Sequence, residues 1–134
     1  MNKDISIKIK FNEYPGDTYL GYAYTSDGEE IGYLEIKRYL NNKNTITYQV
    51  DRLRVKEVFR NQGIAKKLFS EVEKKFDKSN GNYLSVRPNS EPYDAESYID
   101  IETLYTIYEK LGFHLSDPDA SRSTPNHLML KIYN

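Results

Sequence analysis

The segment Arg60-Asn61-Gln62-Gly63-Ile64-Ala65, followed by Lys66 and Lys67, lies between an alternating apolar stretch and an amphipathic one. A helix starting at this glycine exposes about four unpaired N–H groups and roughly half a positive charge. Such an end takes a pyrophosphate if the backbone can approach closely, and Gly63 and Ala65 are small enough to allow it. Cations are unfavourable in the first turn of a bare helix, so Lys66 and Lys67 suit an end that carries an anion. The spacing is neither GxGxxG nor a phosphate loop ending in Gly-Lys-Ser/Thr, and a plain glycine cap would also satisfy it. Other chemistries are closed. The chain has no cysteine, which removes disulfides, thiolate metal sites and a cysteine nucleophile. His114 has no partner at catalytic or metal spacing, and His127 falls in an expected strand, so neither is given a metal role.

The elements that position this loop follow from periodicity. The 134 residues suit one domain, residues 1–134, able to bury roughly two-thirds of its unfolded surface. Ile5, Ile7, Ile9 and Phe11 alternate with polar residues. Thr18 to Thr25 and Glu30 to Tyr39 are strand-like and flank a tight turn at Ser26-Asp27-Gly28. Asn41 to Asn44 turns the chain into Thr45 to Val55. In that fourth strand Ile46, Tyr48 and Val50 are apolar at even positions, whereas Leu53 and Val55 are apolar at odd ones. Either a β-bulge sits near Asp51-Arg52, or both faces are covered. Gly63 to Asp77 reads as a helix, with Ile64, Leu68, Val72 and Phe76 on its inner stripe. Tyr83 to Arg87 is a short strand. A second helix carries Ile101, Leu104, Tyr105, Tyr108 and Leu111, with Ser97-x-x-Asp100 as its expected start and Gly112 as its left-handed stop. Leu115 and the Leu128, Leu130, Ile132 stripe predict two more strands around a long loop.

Arg60, Gly63 and Ala65 occupy the specified positions of Gln/Arg-x-x-Gly-x-Gly/Ala. Together with Leu53, Val55 and Leu68, the segment resembles the acetyl-CoA motif of GCN5-related N-acetyltransferases, the GNAT family. Leu104-Tyr105-x-x-Tyr108-Glu109-Lys110-Leu111-Gly112-Phe113 resembles the family's second signature. The resemblance implies an α/β (α+β) fold: a mixed, mostly antiparallel sheet of about six to seven strands, with a helix after strand four and another after strand five. The family's helices between the first two strands have no room here, since only Asn12 to Asp17 is available. The acceptor side would then be open, or closed by a second subunit in a homodimer. The chain also has Glu57 where many members have proline, and Ile101 where many have asparagine, for which Asn89 is a substitute.

The resemblance implies acetyl transfer from acetyl-CoA, as co-substrate and without a metal, directly to a primary amine on a small molecule, peptide or protein. The loop amides of Gln62, Gly63, Ile64 and Ala65 would hold the pyrophosphate with Arg60 and Lys66 near it, and Asn61 would also contribute to cofactor binding. The backbone of Leu53, Arg54 and Val55 would pair with the pantetheine arm, and one N–H there would polarise the carbonyl. Tyr108 matches the general acid. A phenol, with a pKa near 10, can hold a proton for a thiolate whose acid lies near 8.5. The alternative is that Tyr108 only packs. Asp51 and Glu35 are the general-base candidates, acting through water; the alternative for each is a solvated or ion-paired surface carboxylate. Glu91, Asp94, Glu96 and Asp100 would attract a cationic amine or simply be solvated. A different class of function also fits: a non-catalytic module that binds CoA or a protein partner. Nineteen Lys and Arg against 20 Asp and Glu leave no basic excess, so nucleic acid is not an expected partner. The N-terminus has no signal-like apolar block and no run matches a membrane helix, so a cytoplasmic location is expected.

Overall fold

A computed structural model describes residues 4–13, 16–41, 43–89 and 99–134. Its strands are β1 (Ser6–Asn12), β2 (Thr18–Tyr24), β3 (Glu30–Leu40), β4 (Ile46–Val55), β5 (Tyr83–Val86), β6 (His114–Leu115) and β7 (Met129–Ile132). Helix α1 (Ile64–Glu73) follows β4, and α2 (Ile101–Lys110) follows β5. The strands form one seven-stranded sheet in the order β1-β2-β3-β4-β5-β7-β6. The pairs β1/β2, β2/β3, β5/β7 and β6/β7 are antiparallel, whereas β4 and β5 run parallel. Among the described residues no helix separates β1 from β2, in agreement with the short connection in the sequence.

Two compact units make up the chain, Met1–Arg38 with Asp51–Phe76, and Tyr39–Val50 with Asp77–Asn134. In the first, α1 lies against the face of β2 and β3 that presents Gly21 and Gly32. A Cβ at Gly21 would stand 3.0 Å from Val72, and one at Gly32 would stand 3.1 Å from Leu68 and 3.2 Å from Ile64. The helix can settle this close because both positions lack a side chain. Leu68 and Val72 are fully buried there, and Phe76 meets Tyr19 edge-on at 5.2 Å. The helix ends at Glu73 rather than at the expected Asp77. Its last turn tightens through Lys75 N–H to Val72 (2.9 Å) and Phe76 N–H to Glu73 (3.1 Å), which still brings Phe76 into the core.

In the second unit, β4 and β5 pair over Thr47–Gln49 and Tyr83–Ser85. The turn before β5 is organised by the buried Asn82. Its Oδ1 accepts from Ile46 N–H (2.8 Å), its Nδ2 donates to the Asp77 carbonyl (2.8 Å), and its own carbonyl accepts from Tyr133 N–H (2.9 Å). Helix α2 closes as the sequence indicates. Gly112 has φ 104°, its N–H donates to Glu109, and the Phe113 N–H reaches back to Tyr108, which folds the buried Phe113 onto the helix. Its start differs from the expectation: the cap is Asp100 itself, and Ser97 lies outside the described residues. His127 is also not in a strand, because β7 begins at Met129. The chain before it turns through a left-handed Asn126 (φ 72°), whose N–H donates to the Pro88 carbonyl at 2.8 Å.

Candidate active site

After β4 the backbone makes a 3-10 turn, Glu57–Phe59, that the sequence pattern did not reveal. Arg60 Nε donates to the Val55 carbonyl at 3.0 Å, tying the loop to the end of its strand. Asn61 (φ 63°) and Gly63 (φ 77°) then adopt left-handed conformations on either side of Gln62, whose side chain donates to the Val58 carbonyl at 3.1 Å. This double reversal delivers the chain into α1 with Gly63 as the cap. Gly63 supplies no side-chain hydrogen bond to the helix end, and the first turn holds no acidic residue. Among the described residues no acceptor faces the N–H groups of Ile64, Ala65 or Lys66; the first helical bond is Lys67 N–H to Gly63, 2.9 Å. An added Cβ at Gly63 would meet nothing within 4 Å, so glycine is there for its positive φ and the space beside it is open. Lys66 is exposed, whereas Lys67 reaches the Ile5 carbonyl at 2.9 Å.

The residues feeding this loop, Asp51 to Arg54, are half-buried, and Val55 is buried. Burial along β4 moves from the even positions Tyr48 and Val50 to the odd Val55. Asp51 pairs with Lys37 at 3.5 Å, while the next residue, Arg52, lies 4.0 Å from Glu35. Lys37 and Glu35 sit two apart on β3 and share a face, so successive residues of β4 reach one face. A regular strand alternates its side chains, and this departure accords with a bulge at Asp51-Arg52. Both carboxylates proposed as bases are therefore ion-paired, and Glu35 Oε1 also accepts the Tyr33 hydroxyl at 2.8 Å. Burial, and then that hydrogen bond, push the Tyr33 phenol well above its ordinary range.

Tyr108 and Asn89 belong to the other unit. Tyr108 is buried on the inner side of α2, its ring edge-on to Phe113 at 5.4 Å. Asn89 is exposed just beyond Pro88. Of the acidic stretch, Glu91, Asp94 and Glu96 lie outside the described residues. Asp100 is committed to its helix: it accepts from the Thr103 N–H (3.2 Å) and hydroxyl (2.7 Å), which holds its carboxyl below the usual range.

Arg122 and Tyr105 order the loop between β6 and β7. Arg122 grips Glu109 through two hydrogen bonds of 2.7 and 2.8 Å, and its guanidinium lies 5.8 Å from the Tyr105 ring centre. Those bonds draw the Glu109 carboxyl down. Tyr105 donates to the Thr124 carbonyl at 2.7 Å and accepts from His127 N–H at 3.1 Å. No periodic signal joins residues so far apart, and sequence reasoning missed Arg122. Among the described residues no group of three or more His, Asp or Glu could hold a metal, and no helix is long and apolar enough to cross a membrane.

Residues 6–132 match the acetyltransferase (GNAT) domain model. Structural neighbours share the fold at low identity. Naa50 from Arabidopsis thaliana, solved with a bisubstrate analogue, superposes with a TM-score of 0.59 at 19% identity, over 85% of this chain and 72% of that one. A GNAT-family acetyltransferase from Staphylococcus aureus gives 0.57 at 20% identity, over 85% and 66%. The NatB acetyltransferase complex bound to CoA gives 0.62 at 18% identity, over 86% and 73%. A comparison with curated proteins gives no significant match. The chain belongs to the GNAT acetyltransferase family.

Proposed function

We propose that residues 1–134 act as one acetyl-CoA-dependent N-acetyltransferase domain, passing acetyl directly to a primary amine in a ternary complex. The observation that carries this reading is the α1 entrance. A left-handed Gly63 leads into N–H groups at Ile64, Ala65 and Lys66 that meet no protein acceptor among the described residues, inside a chain that matches the family over residues 6–132. That arrangement fits a diphosphate, whose oxygens supply the missing acceptors and whose charge offsets Lys66. In this reading the amides of Asn61 to Ala65 grip the donor, with Arg60 and Lys66 beside them. The backbone of Leu53 to Val55 aligns its pantetheine arm, and Asn89 is a further donor-binding residue. Asp51 or Glu35 draws a proton from the acceptor ammonium through water, and the Tyr108 hydroxyl supplies one to the departing thiolate. A homodimer would supply the wall that the missing N-terminal helices provide elsewhere, and light scattering tests for it.

A second reading, a non-catalytic CoA-binding module, draws on the ion pairs that already engage both Asp51 and Glu35. One experiment separates the two. Acetyl-CoA at a hundred times its dissociation constant should add about 2.7 kcal/mol, a rise in Tm of roughly 10 °C. CoA release should then climb when a panel of primary amines is added. Stabilisation with flat release across the panel selects the module, and no stabilisation of folded, CoA-free protein removes both.

A further inference from the structure

The face of β2 and β3 turned away from α1 carries a row of aromatic rings. Since Gly21 and Gly32 face the helix, alternation directs Tyr22, Tyr24 and Tyr33 to the opposite side. The register places Lys8, Tyr22 and Tyr33 side by side across three strands, and Leu20 beside Glu35 in the next row. Tyr22 lies 5.3 Å from Tyr33 and 6.3 Å from Tyr24, centre to centre, and all three rings are half-buried. Lys8 holds its ammonium 5.3 Å from the centre of the Tyr24 ring. This is cation–π distance, and it shows what the face accepts: a positive nitrogen on an aliphatic stem.

We propose that the Tyr22, Tyr24 and Tyr33 rings and the Glu35 carboxylate form a binding wall for an aliphatic ammonium, and that the acceptor amine belongs to this class. The second half rests on the N-acetyltransferase reading; the first does not. The ring faces are negative, and Glu35 places a full negative charge beside Tyr33. Glu30 and Glu35 both add to the burial that raises the Tyr22 phenol, so that ring sits in a negative field. Lys8, Lys10, Lys37 and Arg52 also approach this part of the sheet. Lys37 is paired with Asp51, so the built-in competitors are Lys8, seated on the Tyr24 ring, and Arg52, 4.0 Å from Glu35. Glu35 adjoins Arg52, which precedes Leu53, so the wall is continuous in the chain with the backbone proposed to align the thioester.

If the rings only packed against one another across strands, they would be indifferent to a ligand's charge. The test titrates the full chain with n-butylammonium and, separately, with the neutral n-butanol, following the aromatic NMR signals of Tyr22, Tyr24 and Tyr33. Saturable shifts in these three rings are expected with the ammonium, and at least tenfold weaker binding with the alcohol. Lys8→Met, at an exposed position, should tighten binding roughly three- to fivefold by vacating Tyr24. Tyr33→Leu should weaken it by a similar factor while leaving stabilisation by acetyl-CoA intact. Equal response to the alcohol, or no gain in Lys8→Met, overturns the wall. Ammonium binding without acetylation of butylamine keeps the wall and overturns its assignment to the acceptor.

Discussion

The two helices begin in opposite ways. Asp100 approaches α2 in extended conformation, caps the Thr103 N–H and is followed by Glu102 in the first turn, so the chain itself supplies a side-chain acceptor and negative charge at this helix start. At α1 a left-handed glycine provides no cap, no acid follows, and Lys66 and Lys67 add positive charge. The glycine follows from its left-handed φ of 77°, where serine or aspartate would be strained, and it leaves this helix end without a side-chain cap. The difference separates a helix end that carries its own acidic cap from one that suits the proposed diphosphate.

The contrast is open to attack at several points. Gly63→Glu places bulk and negative charge where the diphosphate would rest, and donor affinity should fall about a hundredfold or more, close to 2.7 kcal/mol. The fold should survive: the new Cβ meets nothing within 4 Å, and the positive φ costs roughly 1–2 kcal/mol. Unchanged stabilisation by acetyl-CoA would place the anion elsewhere. Tyr108→Phe should lower turnover on an accepted amine by about two orders of magnitude with donor binding intact; full turnover returns Tyr108 to a packing role. Asp100→Ala should lower Tm by a few degrees and leave donor affinity alone, since its work is structural. Weakened donor binding in that variant would erase the distinction between the two helix starts.

The smallest effect is in pH. The Asp100 carboxyl is held below its ordinary value by Thr103, through the side-chain hydrogen bond first and the backbone one second. A depressed folded pKa contributes stability that is present above the unfolded value, about 3.9, and is lost as pH falls through the lower folded one. The stability difference between the natural chain and Asp100→Asn, from urea titrations, should be flat above about pH 5 and shrink below pH 4. A difference that persists undiminished to pH 2 would mean that the carboxylate charge is not what caps α2.

Much of this was legible because local rules and tertiary structure agree. Alternation found the strands, the four-residue repeat of Ile64, Leu68 and Val72 found α1, and Lys110-Leu111-Gly112-Phe113 found the end of α2. What escaped depended on partners distant in sequence or on turns without periodicity. Arg122 clasps Glu109 across a loop, Asn126 turns the chain ahead of β7, and the Glu57–Phe59 turn sits in a polar stretch with no repeat. Tyr33 was within reach. It lies two residues before Glu35, a spacing that puts both on one face of a strand. The left-handed Asn61 had no comparable signal, since its conformation is imposed by the loop that Arg60 closes.

Gly21 and Gly32 lie beneath the helix, yet they set the height at which α1 and the loop before it ride. A methyl at Gly32 would press on Ile64, the residue next to Gly63, from only 3.2 Å. Drift at two silent-looking strand positions would therefore shift the start of α1 and, with it, the proposed grip on acetyl-CoA. A laboratory search for altered donor preference should randomise this hidden floor as well as the visible rim.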